Sequence, residues 1–243
     1  RHRYIDLALG EAARPQDAER CVLASNLDPG LTEKFIAWYL ERNEFGPALR
    51  WTEQLALAAR DEASNPWLRR MFDLALGEAD DMPAAQRAIG LASSPVVMME
   101  RLIEHLLENF EFAEALRWYE DLAQAVPRGH VRDGHLAKMQ ELAISKVQDL
   151  SAAERAIQLA DDKQPLMEAL IAYLRENQER DPALDWMQEL ARSTQDLTSR
   201  RPLLTDLVDY ALLAPPRFST VEDAIELADR PAPLIAKYID ALA

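Results

Sequence analysis

Glycine is scarce in this sequence, with 7 in 243 residues, and the seven stand singly. No glycine-rich loop is therefore available to cradle a phosphate. Cysteine is scarcer still: a lone Cys21 excludes an internal disulfide and a cysteine-rich zinc site, and leaves the compartment open. Histidine occurs at His2, His105, His130 and His135. Only His130 and His135 share a loop, and Asp133 is the one further ligand beside them, short of what a metal ion needs. No Gly-x-Ser-x-Gly elbow is present. The expectation is no cofactor, no metal and no catalytic site. Long apolar runs are also missing. The longest uncharged stretch, 88–99, is interrupted by Ser93, Ser94 and Pro95 and is too short to span a bilayer. Basic charge is in deficit, 27 Lys and Arg against 42 Asp and Glu, for a net charge of −15. Nucleic acid and anionic lipid need a basic footprint, so neither is expected as the main partner, and a cationic one is favoured. No signal peptide is visible, and a chain that opens at Arg1 reads as an excerpt from a longer protein.

What is abundant is Ala, Leu, Glu, Arg and Gln, all good helix formers, with no run of alternating Val, Ile and Thr. The chain is expected to be all-α. Within it one pattern recurs: ERNEFGPALRWTEQLALA at 41–58, ENFEFAEALRWYEDLAQA at 108–125 and RENQERDPALDWMQELAR at 175–192. Trp51, Trp118 and Trp186 occupy the same place in each copy, 67 and 68 residues apart. Each copy reads as a helix end, a tight turn at Asn43, Asn109 or Asn177, and a second amphipathic helix. In chain order the helices fall at 4–12 and 16–25, then 31–42 and 47–60, then 67–79 and 83–93. The fourth hairpin starts at Pro95 and contains 106–127. A polar loop, 127–133, leads to helices at 135–147 and 151–161. The sixth hairpin starts at Pro165, and the seventh starts at Pro202 with 218–228 as its second helix. The stretch 231–243 is the first helix of an eighth. A small residue in the first turns of each second helix fixes the register: Ala18, Ala48, Ala85, Ala115, Ala153, Ala183 and Val221. Its spacing alternates between 30 and 37 or 38 residues, so short and long hairpins pair into a superunit of 67–68. Residues 1–243 thus read as one helical-repeat array of about seven hairpins, in which each hairpin buries its apolar face on the next. The three tryptophans are expected as packing residues.

The hairpin at 95–127 resembles the tetratricopeptide repeat. That family's second helix opens with an aromatic and an alanine three residues on, continues to an aromatic four further, and ends in proline; here these are Phe112, Ala115, Tyr119 and Pro127. Leu102, Ile103 and Leu106 supply the apolar face of the first helix. The other copies depart from the pattern: Pro127 has no counterpart at Arg60 or Gln195, and the usual small residue of the first helix is Ile36, Ile103 and Ile171. The resemblance implies a superhelical array whose first helices line a groove for partners.

Two rows of charge emerge when the first helices are aligned. Arg3, Glu33, Arg70, Glu100, Lys138, Glu168 and Asp206 alternate in sign until the end and are expected to pair across neighbouring helices. The second row, Glu11, Glu41, Glu78, Glu108, Lys146 and Glu176, is mostly acidic, and Glu104 joins it one turn before Glu108. Carboxylates in the last turn of a helix oppose its dipole by roughly 0.3–1 kcal/mol each. A repeated feature that costs stability is a candidate for function. Glu11, Glu41, Glu78, Glu104, Glu108 and Glu176 are therefore the expected partner-binding residues. The tetratricopeptide clamp for acidic C-terminal peptides would need Lys, Asn and Arg on these helices instead.

Long degenerate arrays rich in Ala, Leu and Trp also resemble the periplasmic scaffolds of outer-membrane exopolysaccharide exporters, the Pel type among them. That resemblance implies a non-catalytic scaffold in the periplasm that docks a polysaccharide hydrolase or deacetylase, or the cationic polymer itself. Two alternatives stand beside it: the non-catalytic superhelix of a cell-wall lytic transglycosylase, and a general tetratricopeptide adaptor. The catalytic domain of the transglycosylase family would need a Glu-Ser pair, and none occurs in this sequence.

Overall fold

The computed structural model describes residues 5–6, 9–10, 15–59 and 66–242. Fourteen helices run through them: α1 Pro15–Ala24, α2 Pro29–Leu40, α3 Phe45–Ala58, α4 Pro66–Gly77, α5 Met82–Leu91, α6 Val96–Glu108, α7 Phe112–Ala125, α8 His130–Leu142, α9 Leu150–Leu159, α10 Gln164–Glu176, α11 Arg180–Ser193, α12 Leu197–Ala211, α13 Phe218–Leu227 and α14 Ala232–Leu242. A π-helical turn, Ala143–Val147, prolongs α8. The described residues contain no strand. The fold is an all-α array of helical hairpins.

The chain packs as two compact units, Arg1–Trp118 and Tyr119–Ala243, divided inside α7. In the first unit α2 packs on α3, α3 on α4, α4 on α5 and α5 on α6. In the second, α8 packs on α9, α10 on α11, α11 on α12, α12 on α13 and α13 on α14. The seven small residues that set the register are all fully buried. The methyl group of alanine at six of them, and the small side chain of Val221 at the seventh, let neighbouring helices approach closely, as a longer side chain would not.

The alternating period is a difference in helix length. The second helices α3, α7 and α11 have 14 residues each, whereas α1, α5, α9 and α13 have 10 each. The hairpins with long second helices share one turn. The amides of Glu44, Glu111 and Glu179 donate to the carbonyls of Tyr39, Leu106 and Leu174, at 3.0, 2.8 and 2.8 Å. The amides one residue earlier donate to Leu40, Leu107 and Arg175. This is the Schellman arrangement, and it requires a left-handed residue just before the glutamate. That residue is Asn43 (φ 57°), Phe110 (φ 61°) or Gln178 (φ 62°). The expectation of an Asn cap therefore holds at Asn43 and is corrected in the other two copies. Asn109 and Asn177 have φ −88° and stand one residue upstream, where the side-chain amide donates to the carbonyl of His105 (3.1 Å) or Tyr173 (2.9 Å).

The hairpins with short second helices use a different turn. Asp81, Asp149 and Arg217 donate their amides to Ala75, Ala143 and Ala211, at 2.9, 3.0 and 2.8 Å. Asp81 and Asp149 then cap the next helix, accepting from the amides of Ala84 and Ala152 at 3.0 Å.

Two expected boundaries move. Helix α8 begins at His130, five residues before its expected start, so the polar loop is shorter than read. Helix α12 begins at Leu197, and Pro202 lies inside it. The carboxylate of Asp196 accepts from the amides of Thr198 (3.3 Å) and Ser199 (2.9 Å) and from both hydroxyls. This cap starts the helix well ahead of the proline, whose missing amide costs one bond rather than the helix.

Candidate partner-binding surface

Each first helix ends where its hairpin turns, and the acidic set sits at those ends. Glu41 caps α2, Glu78 follows α4, Glu108 ends α6 with Glu104 one turn before it, and Glu176 ends α10. All five are exposed, and none forms an ion pair with a described residue. Glu41, Glu78, Glu104 and Glu108 belong to the first unit and Glu176 to the second. Glu104 and Glu108 share one face of α6 at the i, i+4 spacing, where like charges repel by about 0.2–0.5 kcal/mol. Glu11 lies outside the described residues.

Several acids elsewhere on the hairpins are paired. First helices are linked by Asp6 to Lys34 (2.7 Å), Glu33 to Arg70 (3.8 Å), Asp73 to Arg101, Asp206 to Arg175 (2.8 Å) and Asp209 to Lys237. Second helices are linked by Glu53 to Arg87 (3.0 Å) and Glu120 to Arg155 (3.2 Å). The hydrogen bonds that Arg87 donates to the Glu53 carboxylate hold its guanidinium further up its already high range. The expected ladder through the first charge row is thus partly redrawn. Glu33 and Arg70 pair as read, but Asp206 takes Arg175 from outside the row, and Glu168 accepts from Gln164 of its own helix at 2.8 Å. The reason is reach: the guanidinium of Arg175 lies one helix away from Asp206 on the same face. Arg3 lies outside the described residues.

In the second unit the first helices border a cleft that the sequence did not reveal. It has a volume of about 180 Å³, with Ile171, Met187, Leu190 and Leu203 supplying apolar walls. Glu168, Arg175 and Asp206 supply charge, and the Arg175–Asp206 pair joins α10 to α12 there. The only signal available was that Glu168 and Asp206 both belong to the first charge row. The cleft is large enough for one or two side chains of a bound peptide.

The tryptophans behave as packing residues. Trp51 is buried against Phe35, with ring centroids 5.3 Å apart, and Trp118 and Trp186 are half-buried. Trp38, which has no counterpart in the repeated pattern, donates its indole N–H to the carbonyl of Leu9 at 2.8 Å, and Arg42 stacks 3.9 Å above its ring. His130 and Asp133 lie in the first turn of α8, where Asp133 accepts from the amides of Asp161 (2.9 Å) and Asp162 (3.2 Å). Asp133 is therefore occupied in closing a loop. No group of three or more His, Cys, Asp and Glu suited to a metal ion occurs among the described residues. Nor is any helix among them long and apolar enough to cross a membrane.

No protein-family model matches this chain, and no curated protein matches it. Among solved structures it is similar to a de novo designed helical repeat protein, at 14% identity over 98% of this chain and 95% of that one, with a TM-score of 0.17. It is also similar to a circular tandem repeat protein with a novel repeat topology, at 14% identity over 98% of this chain and 45% of that one, with a TM-score of 0.13.

Proposed function

We propose that this chain is a tetratricopeptide-like binding scaffold whose acidic first-helix ends receive a cationic partner. One observation carries the reading: acids are paired at most of the hairpin-to-hairpin positions, whereas Glu41, Glu78, Glu104, Glu108 and Glu176 are exposed and form no ion pair with a described residue. Their position at helix C-termini is unfavourable in the free protein, and a bound cation offsets that cost. The partner class that fits is a cationic amino-sugar polymer or the basic face of an enzyme that modifies one. This agrees with the periplasmic scaffold of a bacterial exopolysaccharide exporter, Pel-like in type, docking a deacetylase or hydrolase.

The test is a quadruple variant in the first unit, Glu41→Gln, Glu78→Gln, Glu104→Gln and Glu108→Gln. Its fold is expected intact and its stability equal or slightly higher. Titration with partially deacetylated amino-sugar oligomers, and separately with a purified deacetylase, is expected to give weaker binding than wild type. The loss is expected to be larger at low salt, because exposed charges are screened beyond roughly 10 Å at 0.1 M. Equal binding of both partners by variant and wild type would refute the proposal.

A further inference from the structure

The first charge row loses its alternation at one place. Glu33, Glu100 and Glu168 share a repeat position, and the next first helix follows them with Arg70, Lys138 and Asp206. One turn before those three stand Trp67, His135 and Leu203. In the first unit this place is filled from within the chain. The Arg70 guanidinium reaches Glu33 at 3.8 Å and lies 5.9 Å from the centre of the Trp67 ring. In the second unit both ring and cation are replaced, by Leu203 and Asp206. The cleft of about 180 Å³ lies at this point, with Ile171, Met187 and Leu190 as buried apolar wall and Leu203 half-buried beside them.

The charges around the cleft do not balance. Arg175, where α2 and α6 carry Leu40 and Leu107, is bound to Asp206 at 2.8 Å and lies 4.7 Å from the Tyr210 ring. That cation and that carboxylate satisfy each other. Glu168 is exposed, accepts from the neutral side-chain amide of Gln164 at 2.8 Å, and forms no ion pair with a described residue. One negative charge is left over at the rim of an apolar cleft. The cleft is also internal to its unit: α9 packs on α10 before it, and α13 packs on α12 after it.

A side chain with an apolar stem and a cationic head satisfies both features. Arginine fits better than lysine, because its guanidinium is planar, more weakly hydrated, and pairs with a carboxylate through two parallel hydrogen bonds. An amino sugar fits worse, since its ring hydroxyls would face apolar walls without partners. We propose that this cleft binds an arginine side chain from a peptide segment of a partner protein, the stem on Ile171, Met187 and Leu203 and the guanidinium at Glu168. The bound arginine restores from outside the cation that Arg70 supplies to Glu33 from within. The cleft shares no residue with the acidic set, so either reading can fail without the other.

The test titrates the whole chain, with isoleucine and methionine methyl groups labelled for NMR, with a glycine-serine pentapeptide carrying arginine at its centre. Saturable shifts of the Ile171 and Met187 methyl signals are expected at low salt. The same peptide with norleucine in place of arginine is expected to bind at least fivefold more weakly, and glucosamine is expected to leave these signals unmoved. Glu168→Gln, an exposed change that leaves the packing alone, is expected to weaken arginine-peptide binding at least fivefold. Leu203→Trp places in the cleft the ring that Trp67 carries at the same repeat position, and is expected to abolish binding; should that variant not fold, Glu168→Gln still decides. The proposal is overturned if the methyl signals do not shift saturably, or if Glu168→Gln binds as wild type does. It is equally overturned if norleucine binds as tightly, which makes the cleft merely apolar, or if glucosamine does, which makes it an amino-sugar site.

Discussion

Removal of the Arg180 guanidinium is expected to unfasten the end of α12. Helix α12 ends at Ala211, and the last carbonyls of any helix have no partner within it. Arg180, the first residue of α11, reaches across to them. Its Nη2 donates to Tyr210 (3.1 Å), Ala211 (2.9 Å) and Leu213 (2.6 Å), and its Nη1 donates to Pro215. A cation is also the favourable charge at a helix C-terminus. A hydrogen bond to a charged donor contributes about 1.5–3 kcal/mol. Several of these carbonyls border solvent, and water replaces part of what is lost, so the group as a whole is expected to contribute about 1.5–3 kcal/mol rather than a multiple of it. For a unit of this size that corresponds to a fall in Tm of roughly 5–12 °C.

Arg180→Ala, Arg180→Lys and Arg180→Phe separate the causes, by calorimetry and by amide exchange in α12. Lysine keeps the charge but not the fork, so it is expected to recover less than half of the loss. Phenylalanine is what stands at the same repeat position in Phe45 and Phe112. It is expected to restore packing without capping, leaving the Arg217 amide, bonded to Ala211 at 2.8 Å, faster to exchange. A change below about 0.5 kcal/mol for Arg180→Ala would refute the reasoning and reduce the contacts to a surface arrangement.

Other outcomes are expected alongside. Ala115→Leu overpacks a fully buried register position and should cost about 1–3 kcal/mol by urea denaturation, whereas Ala125→Leu, exposed at the end of the same helix, should be close to neutral. Gln178→Gly relieves a left-handed residue and should stabilise by roughly 0.5–1 kcal/mol; a loss would mean the turn does not hold φ 62° in solution. The side chains of Ser199 and Thr198 hydrogen-bond the Asp196 carboxylate and hold its pKa below the usual carboxylate range. A depressed folded pKa contributes stability above the unfolded value of about 3.9, and the contribution is lost as pH falls through the folded value. The stability gap between wild type and Asp196→Asn should therefore be constant above about pH 5 and narrow below about pH 4. A gap unchanged down to acid pH would argue against the hydrogen bonds as its cause.

The fold was legible because hairpin stacking writes itself into few residues. A buried alanine or valine is demanded wherever two helices cross closely, and all seven such positions could be read without a structure. The turns were less legible. A Schellman turn is specified by backbone bonds that Glu44, Glu111 and Glu179 make with their amides, which any residue could supply. Asn109 and Asn177 drew attention because asparagine tolerates the left-handed region, yet the chain puts Phe110 and Gln178 there. The Arg180 cap was illegible for a similar reason. Its acceptors are main-chain carbonyls about thirty residues away, which leave no trace in side-chain pattern. Of the candidate site, helix-end placement and exposure could be read, but the cleft between α10 and α12 depends on how two helices diverge.

Charge shows where such reading must stop. The second-helix contact Glu53–Arg87 recurs as Glu120–Arg155, and 68 residues later the same two positions hold Gln188 and Asp223. Gln188 donates to Asp223 at 2.8 Å, and Arg192 approaches Asp223 to 3.9 Å. The acid has changed sides while the contact persists. The first-helix contact behaves likewise: Asp6–Lys34 and Asp73–Arg101 are followed by Glu141 opposite Ala169, where no ion pair can form, and then by Asp209–Lys237. Surface pairs of this kind contribute about 0–1 kcal/mol each, so a sign change or a lost rung is cheap once packing holds the hairpins together. Sign at these positions drifts because little depends on it. The helix-end row also changes sign once, at Lys146 between Glu108 and Glu176, but Glu41, Glu78, Glu108 and Glu176 are acidic although each opposes its helix dipole and none forms an ion pair with a described residue. Four unpaired carboxylates at helix ends, where stability does not favour them, are the reason these residues are proposed as the partner surface.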